Sequence, residues 1–301
     1  MSKKRIISIV IIVLCIIALI GFIVWKNIDR ANREVSESRN TKIVASFYPM
    51  YIIAENLTEG ARNIELDLMA DVNVGCLHDY TLTTEDMKKV EDADIFISNG
   101  LGMESFIDKI LESNGNMKTI DSSRNIQNLI SEGEETNPHL WTSIEKYIAQ
   151  VENISEGLQE SDPDNAEIYE QNTVEYINKL EQLESEFEEQ LGGLKGQKAI
   201  CLNEAFEYFG QELGMDLIVV ETDHEESTIS AEELKNIIDT SKSENIDMIL
   251  IDKNDNKSNA ETIANETGAK IYELNSGLTG ITDKDAYISQ MRENIQILLG
   301  D

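Results

Sequence analysis

Cysteine is too sparse here to support a disulfide scaffold: the chain has three in 301 residues. Basic residues are also short, with 25 Lys and Arg against 57 Asp and Glu, a net charge of −32. Such a surface repels nucleic-acid phosphates and anionic membranes, so nucleic acid is excluded as a partner. No GxxxxGK[ST] loop occurs, which excludes a nucleotide-driven motor in this chain. No HExxH signature occurs either, which removes the usual local mark of a zinc hydrolase. Histidine appears only three times, so any imidazole-based site must draw on His78, His139 and His224.

The hydrophobic share, 41%, is that of a globular protein, and 301 residues suit two lobes of ordinary domain size. Lys3, Lys4 and Arg5 precede an uncharged apolar run from Ile6 to Trp25, and that length spans a bilayer as a helix. Leu14 stands where a lipobox needs a small residue before Cys15, and ten more apolar residues follow. Residues 1–33 are therefore expected to form an uncleaved signal anchor with the N-terminus inside, a cleaved signal being the minor alternative. Residues 34–41 read as a polar tether. Residues 1–33 take six of the bases and one of the acids, leaving 19 against 56 and a net of −37 on the exported part. Its two cysteines are Cys76 and Cys201.

Beyond the tether, strand and helix patterns alternate. Strands are expected at Lys42–Tyr48, Ile64–Leu68, Asp94–Ser98 and Lys118–Ile120. Helices are expected at Met50–Leu57, Thr83–Lys89, Met103–Leu111 and Thr142–Leu158, with Thr83 and Asp86 forming a capping box. Ser131–Thr136 reads as an acidic loop. A single long helix follows from Asn165 to Leu191, its apolar stripe written by Ile168, Val174, Ile177, Leu180, Leu183, Phe187 and Leu191. The alternation then resumes. Strands are expected at Lys198–Leu202, Asp216–Val220, Met248–Asp252 and Lys270–Glu273, and helices at Ala205–Leu213, Ala231–Ser241, Ala260–Thr267 and Asp285–Leu299. The predicted fold class is α/β: two lobes of mostly parallel sheet flanked by helices and joined by a rigid linker helix. The expected boundaries are 42–164 for the first lobe, 165–192 for the linker and 193–301 for the second lobe.

In such sheets ligands bind beyond the carboxyl ends of strands. His78 falls in a loop after a strand, within His78-Asp79-Tyr80. His139 falls in Asn137-Pro138-His139-Leu140-Trp141. Imidazole is the commonest zinc ligand, but the 61-position separation carries no local motif. His224 lies among acids in Glu221–Glu226, where a solvated loop histidine is the expected reading.

Ordered landmarks run through the chain: Lys42–Met50 (KIVASFYPM), His78-Asp79-Tyr80 with Leu82 and Asp86, and Asn99–Glu104 (NGLGME). They continue through Asn137–Trp141 (NPHLW), Asp162–Ala166 (DPDNA) with Tyr169, Ala205–Phe209 (AFEYF), Glu266–Lys270 (ETGAK) and Asp285-Ala286-Tyr287. Together they resemble the cluster A-I (ZnuA/TroA-like) solute-binding proteins of zinc and manganese ABC transporters, from about Lys42 to the C-terminus. The resemblance implies one metal in the cleft between lobes. By position it implies His78 and His139 as ligands from the first lobe. For the second lobe it implies Asn203, where the family places His or Glu, and Asp285, matching the acidic ligand before the last helix. An amide oxygen is a weak neutral ligand, so Glu204, His224 or water is left to fill the third position.

Cys76 and Cys201 each stand two residues before a matched ligand position. They are expected either to pair or to offer a thiolate, against the alternative of two small buried residues. Zinc is favoured as the ion, with manganese the alternative. The expected partners are the metal ion and an ABC permease in the membrane, and the chain is expected to be a monomer. An adhesin or sensor that has lost tight metal binding is the competing reading, kept open by Asn203, and a zinc hydrolase using Glu204 as base is the weaker one.

Overall fold

The computed structural model describes residues 21, 22, 26, 40–74, 77, 80–133, 135–220 and 229–300. Two compact units divide the chain. In the smaller, the Thr41 N–H donates to the Asn63 carbonyl at 2.7 Å. The larger, formed by 42–62 and 66–301, holds nearly all of both sheets. Among the described residues no helix is long and apolar enough to cross a membrane. The expected anchor at 1–33 lies almost wholly outside them.

The first sheet is built from β1 (Thr41–Ala45), β2 (Ile64–Leu68), β3 (Ile95–Ser98) and β4 (Lys118–Asp121), in the order β2-β1-β3-β4. β1 pairs β3 and β3 pairs β4 in parallel, with Val44 opposite Phe96 and Ile97 opposite Ile120. The helices between them are α1 (Tyr48–Thr58), α2 (Thr84–Glu91) and α3 (Ile107–Ser113). The capping box at α2 is present: the Asp86 N–H donates to Thr83 Oγ1 and the Thr83 N–H to Asp86 Oδ2. α3 starts four residues later than the sequence pattern suggests. The turn before it, Gly100-Leu101-Gly102, is left-handed throughout, at φ +86°, +53° and +83°. The buried Glu104 carboxylate closes that turn by accepting the N–H groups of Asn99 and Gly100. The expected acidic loop contains a short antiparallel pair, β5 (Ser131–Glu132) and β6 (Glu135–Thr136).

Two long helices follow, α4 (Ile144–Ser161) and α5 (Ala166–Leu191). α5 has 26 residues, about 39 Å at ~1.5 Å per residue, and packs on α4 and α1. Its lower half buries Leu180, Leu183, Phe187 and Leu191, as the apolar pattern predicts. Its upper half does not follow that pattern: Val174 is 57% exposed, and Tyr169, Thr173 and Tyr176 face inward instead. Their polar atoms find partners there. Tyr169 donates to Asp162 Oδ2 at 2.7 Å, the Tyr176 and Tyr147 hydroxyls meet at 3.2 Å, and Thr173 donates to the Tyr169 carbonyl. A tyrosine whose hydroxyl is satisfied buries more area than valine, so the aromatic face wins the core.

The second sheet comprises β7 (Lys198–Cys201), β8 (Asp216–Val219), β9 (Met248–Asp252) and β10 (Lys270–Leu274), in the order β10-β9-β7-β8 and parallel throughout. Its helices are α6 (Glu207–Glu212), α7 (Ala231–Glu244), α8 (Ser258–Thr267) and α9 (Ala286–Leu299). β9 reads MILID and is buried along its whole length, as a central parallel strand covered on both faces must be. The fold is therefore α/β with two parallel sheets and one long helix between them. The two halves meet through α5, which also packs on α9. Polar bonds join them too: Trp141 Nε1–H donates to the Ser276 carbonyl at 2.8 Å and the Tyr48 hydroxyl to the Ile281 carbonyl at 2.7 Å.

Candidate metal centre

His139 closes the loop from β6 into α4 and immediately precedes a single 3-10 turn, Leu140–Thr142. It is 3% exposed, and its ring lies 5.2 Å from that of Trp141. Burying a histidine this deeply costs free energy unless its nitrogens have partners. Asn137 supplies one: its Oδ1 lies 2.9 Å from both the backbone N and Nδ1 of His139. The turn also holds itself, with Thr142 Oγ1–H donating to the His139 carbonyl at 2.9 Å.

The second half approaches this loop with the residues after β7. The Glu204 carbonyl accepts Asn137 Nδ2–H at 3.1 Å, and Glu204 Oε1 lies 3.8 Å from His139 Nδ1. The longer distance is not a hydrogen bond, so Asn137 and not Glu204 is the polar partner of Nδ1. Tyr208 donates its hydroxyl to the Asn137 carbonyl at 2.8 Å and accepts the Ile130 N–H at 3.0 Å. The structure thus brings His139 and Glu204 together at the carboxyl end of β7, where an α/β sheet presents its ligands.

Asn203 is already committed. Its Oδ1 accepts the Ala205 N–H at 3.0 Å, capping the 3-10 turn Glu204–Phe206, and its Nδ2–H donates to Asp255 Oδ2 at 2.8 Å. Burial pushes the Asp255 carboxyl above its usual range, and the Asn203 bond offsets part of that rise. Any cation that took Asn203 Oδ1 would compete with the cap. Asp285 stands apart from this group. It is the residue before α9, its side chain is 59% exposed, and its carboxylate pairs with Lys179 of α5 at 2.9 Å.

Cys201 carries a free thiol, fully buried, whose Sγ–H donates to the Asn203 carbonyl at 3.1 Å. Desolvation pushes its pKa up to about 12 in the metal-free protein, and the free thiol stands against the expected disulfide. Cys76, His78 and His224 lie outside the described residues. Among the described residues no three His, Cys, Asp or Glu side chains are gathered to hold a metal.

Residues 43–299 match the family described as the periplasmic zinc-uptake complex component A. The chain belongs to the zinc-uptake complex component A family. Two relatives are covered over 87% and 91% of their length, whereas the chain spans only 54–58% of the zinc-binding AdcA proteins of Streptococcus that it also matches. A manganese-binding lipoprotein, MntA, of Halalkalibacterium halodurans is 28% identical over 268 residues, covering 86% of this chain and 87% of its own. The high-affinity zinc uptake system protein ZnuA of Bacillus subtilis is 27% identical over 296 residues, covering 90% and 91%. A crystal structure of ZnuA superposes with a TM-score of 0.75 at 28% identity, over 87% of this chain and 98% of that one. Membership in the zinc-uptake family accounts for the pair of sheets and the long helix between them.

Several residues of the centre escape sequence reasoning. Asn137 had a local signal, because Asn two residues before a loop backbone N–H is an Asx turn. Tyr208 and Asp255 had none, since their partners lie 71 and 52 residues away.

Proposed function

We propose that the chain captures a divalent metal outside the cytoplasm and hands it to an ABC permease, binding stoichiometrically and without turnover. Zinc is the favoured ion and manganese the alternative. The reading is carried by one observation: a histidine of a zinc-uptake family member is almost fully buried where the two halves of the fold meet. Its Nδ1 is held by Asn137, and Nε2 is the proposed ligand atom. His78 is the proposed second ligand, and the Asn203-Glu204 turn the contribution of the second lobe. Within that turn Glu204 is the stronger donor by chemistry, being a carboxylate beside an amide already used as a cap. Asp285 would have to leave Lys179 to take part, so it is not a main contributor. The lobes are taken as 42–164 and 193–301 about the linker 165–192. Residues 1–33 are proposed to hold the chain at the outer face of the membrane as a monomer.

Metal binding to the folded state raises its stability by about 2.7 kcal/mol at a free concentration of 100 Kd. At ~2–4 °C per kcal/mol for a chain of this size, the full chain is expected to melt roughly 5–10 °C higher in zinc. His139→Ala is expected to lose most of that rise and Asp285→Ala little of it. A His139→Ala protein that zinc stabilises as much as the parent would sink the proposal.

A further inference from the structure

The Asn137 amide has no freedom in how it faces. Its Oδ1 accepts the His139 backbone N–H at 2.9 Å and its Nδ2–H donates to the Glu204 carbonyl at 3.1 Å. Turning the amide over would set a donor against the N–H and an acceptor against the carbonyl. Neither backbone group can exchange its role, so the orientation is fixed from both sides. An amide oxygen only accepts. His139 Nδ1, 2.9 Å from that same Oδ1, must therefore be the nitrogen that carries the proton. In a neutral imidazole the other nitrogen, Nε2, then holds the lone pair.

We propose that Asn137 is a positioning residue that locks His139 in the Nδ1–H tautomer, and that the second half of the fold holds this lock in place. Three contacts tie Asn137 to that half or follow from it. The Glu204 carbonyl engages the amide, the Tyr208 hydroxyl engages the Asn137 carbonyl at 2.8 Å, and the Glu204 carboxylate stands 3.8 Å from Nδ1. The carboxylate's field favours a proton on Nδ1 over one on Nε2, in the same direction as the amide. A metal-ligating histidine generally needs its second nitrogen held in this way, and removing such a partner costs about 10–100-fold in metal affinity. Here the partner is neutral, so it sets the tautomer without adding charge. Docking of the Asn203-Glu204 turn is thereby linked to the state of a ligand that belongs to the opposite lobe.

The tautomer lock stands on the geometry alone, whereas its consequence for affinity rests on the proposed function, and the test separates the two. The full chain is labelled with 15N-histidine. Long-range 1H–15N spectra are recorded without metal at about pH 8, where an ordinary imidazole is neutral. With three histidines in the sequence, His139→Ala assigns the signal. His139 is expected as the Nδ1–H tautomer in the parent and in Asn137→Asp, which keeps the acceptor oxygen. In Asn137→Leu the tautomer is expected to become mixed or to reverse. Zinc affinity is expected to fall about 10–100-fold in Asn137→Leu and only a few-fold in Asn137→Asp. A parent protein with the proton on Nε2 overturns the inference. So does an Asn137→Leu protein that keeps both the tautomer and the affinity. A parent that shows the expected tautomer but binds neither zinc nor manganese supports the lock and refutes the metal-capture function.

Discussion

Trp141→Ala is expected to cost about 3–5 kcal/mol of stability, the ordinary range for emptying a buried aromatic site. Trp141 is completely buried, and Phe47 meets its ring edge-on at 5.1 Å between centroids. Its indole N–H reaches Ser276 in the other half of the fold, and its carbonyl accepts the Tyr287 hydroxyl at 3.0 Å. Tyr287 in turn stacks on Tyr147 at 3.6 Å between centroids. One residue therefore joins three segments: its side chain ties the His139 loop to the Ser276 loop, and its backbone carbonyl holds the start of α9. Trp141→Phe keeps most of the volume but leaves the Ser276 carbonyl without its donor, so a loss of about 1–3 kcal/mol is expected. Urea unfolding of the full chain, followed by circular dichroism, measures both. A Trp141→Ala protein within about 1 kcal/mol of the parent would show that the two halves are not held together through this residue.

The stability of the parent is also expected to fall as pH rises through neutrality, because of Glu212. This carboxyl ends α6 and caps α4 of the other half, accepting the N–H groups of Ile144 at 2.7 Å and Glu145 at 3.1 Å. Desolvation nonetheless outweighs those bonds and pushes its pKa up to about 7. Ser143 also bonds it, and the carboxylate of Glu184 pushes in the same direction as burial. Glu212 and both glutamates, 145 and 184, line a cavity of about 570 Å³, which gives solvent protons a route to the site. A folded-state pKa above the unfolded value means that the folded protein holds the proton more tightly. The stabilisation is complete below the ordinary glutamate range and is lost as pH climbs from about 4.5 through about 7. That displacement corresponds to roughly 3 kcal/mol, an upper figure because the side chain is only partly buried. Glu212→Gln cannot titrate, so the difference in unfolding free energy between parent and variant is expected to change by about 1–3 kcal/mol between pH 5 and pH 8. A difference that stays constant across that range would show that Glu212 is solvated.

Both predictions concern contacts between halves, and these were the least legible features of the sequence. The sheets were read correctly because buried parallel strands are written as short apolar runs, such as MILID at β9. The long helix was read at both ends, from the Asp162-Pro163 start and the Gly192-Gly193 stop, but its upper register was not. Apolar periodicity favours Val174, and only tertiary partners explain why Tyr169 and Tyr176 turn inward. At the candidate centre, NPHLW marked His139, and the structure buries it beside Glu204. The commitment of Asn203 to Asp255 and of Asp285 to Lys179 are pairings across 52 and 106 residues, which no local pattern encodes. Tautomer and lobe coupling at Asn137 belong to the same class.

Metal content tests the central claim most directly. The full chain and its His139→Ala variant are exposed to zinc and manganese in equal excess, desalted and analysed by mass spectrometry. The account predicts one equivalent of a single ion, zinc, in the parent and its loss in the variant. A parent that retains no metal, or a variant that retains as much as the parent, would contradict it.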